Sequence, residues 1–200
     1  GITQLEHLFA MQPTIERENL LGSAFKRLSM VEWSANHKDK AKEALKSTVE
    51  HYKAAEQMAR ATNTTDLHYP AKNIISAEIC LAFINKRLPA IDDERMQAVS
   101  EAMHKAATEN PDFWSVVGQT ELVMLAALVK GKLAGAEEGL IDSLQELKSR
   151  IPALKMWDSV SNEAQFTLVP YKAMTKDPAE QAAAQRLMDE LKGMAGPVTK

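Results

Sequence analysis

The stretch that most constrains the fold is Asn110-Pro111-Asp112-Phe113-Trp114-Ser115-Val116-Val117-Gly118, running on into Leu122-Val123-Met124-Leu125-Ala126-Ala127-Leu128-Val129. Asn110 suits an N-cap, Pro111 has the φ of a first helical turn, and Asp112 would lie at the positive end of the helix. The apolar block has no polar face for about two turns, so a helix carrying it must be covered on more than one side. An apolar block from Leu122 to Val129 is far shorter than the roughly 20 residues of a bilayer span, so the expected cover is protein. Helices before and after it are therefore expected to wrap it, placing it in the middle of an all-α array.

The flanking sequence supplies those helices. A short helix, or the tail of a longer one, is expected over 1–11 with Leu5, Leu8 and Phe9 on one side. A long helix follows Gln12-Pro13 to about Trp33, its stripe marked by Leu20, Leu21, Ala24, Phe25, Leu28 and Val31 at helical spacing. The next begins near Asn36 and Asp39 and carries Ala41, Ala44, Leu45, Thr48, Tyr52, Ala55 and Ala59 in line. Two such helices joined by a short polar turn make an antiparallel hairpin. Thr62 to Asp66 reads as a loop, Tyr69-Pro70 opens a third long helix, and Asp92, Asp93 and Glu94 open a fourth.

The central helix is expected to end near Gly135, and Glu137 and Glu138 to start another that Pro152 ends. A further helix carries Leu154, Trp157, Val160, Ala164 and Leu168, with Pro170 expected to kink or stop it. Asp177-Pro178-Ala179-Glu180 resembles a capping box before a last helix with Leu187 and Leu191. No stretch alternates as a strand pair does. The expected organisation is an N-terminal helix over 1–12, a single array over 13–193 and a flexible tail over 194–200.

Composition closes off several functions. At 200 residues, 26% of them charged, with 8 Gly and 8 Pro, the chain is long enough for a real core and reads as helix-rich and globular. A net charge of -3 with mixed signs gives no basic face for nucleic acid. Cys80 cannot form an intramolecular disulfide, because it is the one cysteine. It reads as a small buried hydrophobe, in keeping with a reducing, cytoplasmic setting. No signal peptide, transit peptide or spanning segment is read, and the opening Gly1 is what a processed or excised chain would show.

An internal repeat refines the fold. Gly22, Asn73 and Gly118 align with a drifting period of about 48, each near an aromatic: Phe25, Tyr69 and Trp114. An aromatic beside a small residue at a helix crossing is how tetratricopeptide-type (TPR) hairpins pack. Thr48, Tyr52 and Ala55 add the small–aromatic–small pattern of a second helix. The expected fold is thus a TPR-like α-solenoid of about seven to eight antiparallel helices in hairpins. An irregular bundle with glycines placed by chance is the alternative.

Glu18-Asn19-Leu20-Leu21-Gly22-Ser23-Ala24-Phe25-Lys26-Arg27-Leu28, Tyr69-Pro70-Ala71-Lys72-Asn73 and Asp112-Phe113-Trp114 resemble the TRAFs-binding domain family. That is a TPR-like module of bacterial proteins and of apoptosis-signal-regulating kinases. The resemblance covers roughly 14–150 and leaves the helices after Pro152 unmatched. It implies protein–protein interaction and regulation of an attached or associated effector, and no catalytic residue.

The sequence offers little chemistry of its own. Glu101 and His104 form a Glu-x-x-His pair, but a di-iron bundle needs a second pair and two further glutamates, and none is found. Asp66-Leu67-His68 lies in a loop without further metal ligands nearby and reads as a cap. Neither a phosphate loop nor a G-x-S-x-G elbow occurs, so no enzyme, metal or cofactor is expected.

A hairpin stack presents its first helices on a concave face. The repeat alignment places Asn19, Ser23, Lys26 and Arg27 there from the first unit, Asn73 and Glu78 from the second, and Ser115 and Gln119 from the third. Asn side chains would pair with a peptide backbone, and Lys26 and Arg27 with acidic groups. The reading is a non-catalytic interaction scaffold binding another protein or another domain of its parent chain. The alternative is a peptide- or ligand-sensing receptor, which a sealed apolar pocket around Trp114 and Trp157 would favour. No nucleic acid or membrane partner is expected.

Overall fold

The computed structural model describes residues 1–62 and 67–196. The described residues fold into nine helices: α1 (Ile2–Met11), α2 (Ile15–Ser34), α3 (Lys38–Ala61), α4 (His68–Ile84), α5 (Asp93–Glu109), α6 (Phe113–Lys130), α7 (Leu133–Arg150), α8 (Leu154–Met174) and α9 (Pro178–Ala195). There is no strand among them, so the chain is all-α. Most of the loop expected over 62–66, with Asp66, and the last four residues of the tail lie outside the described residues.

Short polar side chains start the helices by accepting from orphan N–H groups. Thr14 Oγ1 caps α2 at 3.2 Å, Asp92 Oδ1 caps α5 at 2.5 Å and Asp177 Oδ1 caps α9 at 2.8 Å. Asn110 does not cap α6 but ends α5. Asp112 is the cap, because Ser115 stands three positions on: Ser115 N donates to Asp112 Oδ1 at 2.6 Å, and Asp112 N to Ser115 Oγ at 3.1 Å. That reciprocal pair closes a capping box.

Three other boundaries depart from the sequence expectation. Gly131 takes φ 61 and stops α6 four residues before Gly135. α7 then starts at Leu133, ahead of the glutamates expected to open it. Pro170 lies within α8, which continues to Met174. Proline removes one backbone donor from the ladder, and the helix runs on through it.

α4 is the most covered element, with 12 of its 17 residues buried. It packs on α3, α5, α6 and α8. α6 is not wrapped on every side as its apolar run suggests, since Val123 is 56% and Trp114 43% exposed. One helix among the described residues, Phe113–Lys130, is long and apolar enough by composition to cross a membrane. In this fold it packs on α4, α5 and α7.

The closest pairing is α2 on α3, and α9 lies across both α7 and α8. A Cβ on Gly22 would meet the Tyr52 ring at 3.0 Å, so glycine lets α2 approach α3. A Cβ on Gly118 would meet the flexible end of the Met103 side chain of α5 at 2.8 Å. One large apolar cluster runs through α4 to α9 around Phe83, Leu125, Trp157 and Leu187, and a smaller one joins Leu45, Ala77, Cys80 and Phe166. α1 has no buried residue and is held by Arg17, whose Nη1 donates to the carbonyls of Leu8 and Gln12 at 2.7 Å each.

Candidate functional site

A cleft of about 640 Å³ opens among α2, α4, α6 and α8, the alternate helices of the chain. α2 lines it with Ser23, Lys26, Arg27, Met30 and Val31, and α4 with Tyr69, Lys72 and Asn73. α6 contributes Trp114 and Glu121, and α8 contributes Asp158, Ser159, Asn162 and Glu163. Helical periodicity explains the set. Lys26 and Lys72 take the inward face next to the apolar stripes of their helices, and Glu121 stands one residue before the α6 apolar block.

The floor is a buried charge network. Lys26 Nζ donates to Glu163 Oε2 and, at 3.1 Å, to Asn73 Oδ1. Lys72 Nζ donates to Glu121 Oε2 and lies 4.0 Å from Glu163 Oε1. Asn73 Nδ2 in turn donates to the Tyr69 carbonyl at 2.9 Å, which fixes its oxygen toward Lys26. Lys26 also stands 5.7 Å over the Phe166 ring.

Burial opposes charge on all three groups, yet their partners prevail. Desolvation would raise the Glu163 carboxyl, but the Lys26 and Lys72 ammonium groups hold it well below its usual value. Desolvation would likewise lower both lysines, but Glu163 raises Lys26, and Glu121 with Glu163 raises Lys72. All are charged near neutral pH. Burial and the neighbouring Tyr69 push the Tyr52 phenol, behind the network, well up.

The rim is different. Arg27 is exposed and has neither an ion-pair nor a hydrogen-bond partner among the described residues. Val31 is 64% exposed. Trp114 stands edge-on to Phe113 with ring centroids 4.9 Å apart. Phe113 separates it from the fully buried Trp157, whose indole Nε1 donates to the Ile151 carbonyl at 2.6 Å. Trp114 thus lines the open cleft, whereas Trp157 is packed inside the fold.

Of the residues expected on a concave face, Ser23, Lys26, Arg27 and Asn73 line this cleft. The other four are elsewhere. Asn19 is half-buried, its Oδ1 without a hydrogen-bond partner among the described residues. Glu78 faces Lys53 at 3.1 Å and Arg95 at 2.7 Å. Ser115 is spent in the α6 capping box, and Gln119 meets His104 Nδ1 at 3.2 Å. Trp114 and Glu121, seven residues apart, share the cleft face of α6, and Ser115 and Gln119 lie about 100° and 140° round the helix from Trp114.

Sequence reasoning missed Lys72, Glu121 and Glu163. Their pairings join residues 49 and 137 positions apart, and no local spacing encodes such pairs. The available signal was a charged residue inside an apolar stripe: Lys72 among Ala71, Ile74 and Ile75, and Glu163 between Val160 and Ala164. Such a residue has to find an opposite charge within the fold.

Glu101 accepts from Gln97 at 2.8 Å and is exposed with His104. No group of three or more His, Cys, Asp or Glu that could hold a metal occurs among the described residues. Burial raises the Cys80 thiol far above its usual value, so it stays a protonated, packed side chain. A second, more apolar groove lies between α5 and α6 along Met96, Leu122, Val123 and Val129. No family model, no curated protein and no solved structure matches this chain.

Proposed function

We propose that the chain is a non-catalytic interaction module that receives a segment of another protein, or of its own parent chain, in the α2–α4–α6–α8 cleft. Stacking of its hairpins in the TPR manner, and kinship with the TRAFs-binding domain family, belong to this reading. The observation that carries it is the cleft itself: a charge-paired floor under an open rim bearing Trp114, Val31 and Arg27. Exposed aromatics and arginines are the side chains that anchor partners in protein interfaces. The close approach at Gly22, where α2 meets α3 within one hairpin, supports hairpin packing of the repeat type.

The electrostatics favour binding over catalysis. A general acid or base works best with a pKa near the operating pH. Here Glu163 is driven down and Lys26 and Lys72 are driven up, away from that range.

Photo-crosslinking tests the reading. A benzophenone side chain placed at Val31 or Ser159 should give one discrete adduct in cells, lost with Trp114→Ala. The same group at Val123, in the α5–α6 groove, should not give that adduct. An adduct formed equally from Val123, or one indifferent to Trp114→Ala, overturns it.

The sensing alternative has one observation in its favour. A cavity of about 90 Å³ lies between α2, α4 and α8, bounded by Met30, Trp33, Cys80, Ile84 and Phe166. It would suit a small apolar molecule.

A further inference from the structure

Resting on the reading of the cleft as a binding surface, we propose what chemistry it selects. Its occupant is a peptide segment in which an Asp or Glu side chain pairs with Arg27, next to a bulky apolar side chain that packs on Trp114 and Val31.

Charge bookkeeping around the cleft singles out Arg27. Three cations line it, and two are consumed internally: Lys26 by Glu163 and Lys72 by Glu121. Both lysines are buried, and a ligand carboxylate would have to displace a desolvated partner to reach them. Arg27 is exposed on the same wall and unpaired among the described residues. Its planar guanidinium presents a fork that matches a carboxylate with two parallel hydrogen bonds.

The α8 lining carries the reverse sign. Asp158 of α8 is exposed and makes no ion pair among the described residues; its Oδ2 accepts only from Asn162, at 3.3 Å. An unpaired cation on α2 and an unpaired acid on α8 bias which way an acidic segment lies in the cleft.

The apolar half of the recognition comes from Trp114 and Val31, large side chains left 43% and 64% exposed at this mouth. An inorganic anion would use neither of them and would find a single free cation. A cleft of about 640 Å³ has room for several residues, and a charged contact beside an aromatic anchor is the usual make-up of a peptide hot spot.

The test begins with selection of short random linear peptides displayed on phage against the wild-type protein. Synthetic versions of the enriched peptides carry the acid, its amide (Asp→Asn or Glu→Gln) or a lysine at the same place. Fluorescence anisotropy then measures each against wild type, Arg27→Glu and Trp114→Ala.

The expected result is a loss of about tenfold from acid to amide on wild type. A loss at least as large is expected for the acid peptide on Arg27→Glu, where the lysine peptide should bind better than the acid one. The melting temperature of Arg27→Glu should stay unchanged, since Arg27 makes no ion pair or hydrogen bond among the described residues. Peptides whose binding needs Trp114 but ignores both the acid-to-amide change and Arg27→Glu overturn this ligand assignment and leave the cleft reading standing. If no peptide binds in a Trp114-dependent way, both fall.

Discussion

Lys26 and Arg27 are neighbours in sequence with opposite fates. Successive helical positions are about 100° apart, so one turns in to meet Glu163 while the other stays in water. Periodicity made the α3 stripe legible to the residue: Ala41, Ala44, Leu45, Thr48, Tyr52, Ala55 and Ala59 are all buried. It could not say which of two adjacent cations turns inward, because that depends on an acid 137 positions away. Charge reversal at Lys26 therefore tests folding, and only Arg27 tests binding. Breaking one side of the buried pair with Lys26→Met should cost about 3 kcal/mol. The double change Lys26→Met/Glu163→Leu should restore most of that stability, because it leaves no uncompensated acid. Urea denaturation of the cycle measures this, and simple additivity of the two single changes would contradict it. The pH dependence follows from the same groups. Glu163 is held below its unfolded value, so its contribution is complete above about pH 5 and lost as pH falls. Lys26, Lys72 and Cys80 are held above theirs, so their contributions are complete at low pH and lost as pH rises, from about 8.5 for the thiol and about 10.4 for the lysines. Thermal melts should show a plateau between about pH 5 and 8, with a fall on each side.

Helix ends show the same division between local and distant information. Caps supplied from within a few residues, such as Asp177 on α9, could be read from the sequence. The start of α7 could not. Its N-cap, Lys132, makes no capping hydrogen bond, and the acceptors come from Glu180 of α9. Glu180 Oε2 accepts from Leu133 N at 2.8 Å and Oε1 from Ala134 N at 3.2 Å. The buried Tyr171 hydroxyl donates to Oε2 as well, at 2.5 Å. Within its own sequence neighbourhood Glu180 looks like the closing member of the α9 capping box, whereas it spends both oxygens on another helix. Glu180→Ala would strand two backbone donors and a buried phenol at once. The expected cost is about 2–4 kcal/mol. Amide hydrogen exchange should show the loss first at the beginning of α7. Undiminished protection at Leu133 and Ala134 in that variant would show that another acceptor takes over.

Across the whole molecule, the apolar content of α6 drew attention to the wrong centre. Its eight-residue apolar run describes composition, whereas centrality depends on neighbours, and α4 has them on four sides. α4 is less conspicuous because Lys72, Asn73 and Ser76 interrupt its hydrophobicity, and these polar residues are buried because the fold satisfies them. An α4 held by α8 as well as by its sequence neighbours brings α2, α4, α6 and α8 around one cleft. Charge pairs tie the floor across these helices, and the rim stays open. The most direct test of the cleft as the binding surface is a fluorine NMR spectrum of protein labelled with 5-fluorotryptophan. Its resonances for Trp33, Trp114 and Trp157 would be assigned by single Trp→Phe changes. On adding a bound peptide or partner, the account expects the Trp114 signal to move while that of the fully buried Trp157 stays in place. A saturating ligand that leaves Trp114 unmoved would contradict it.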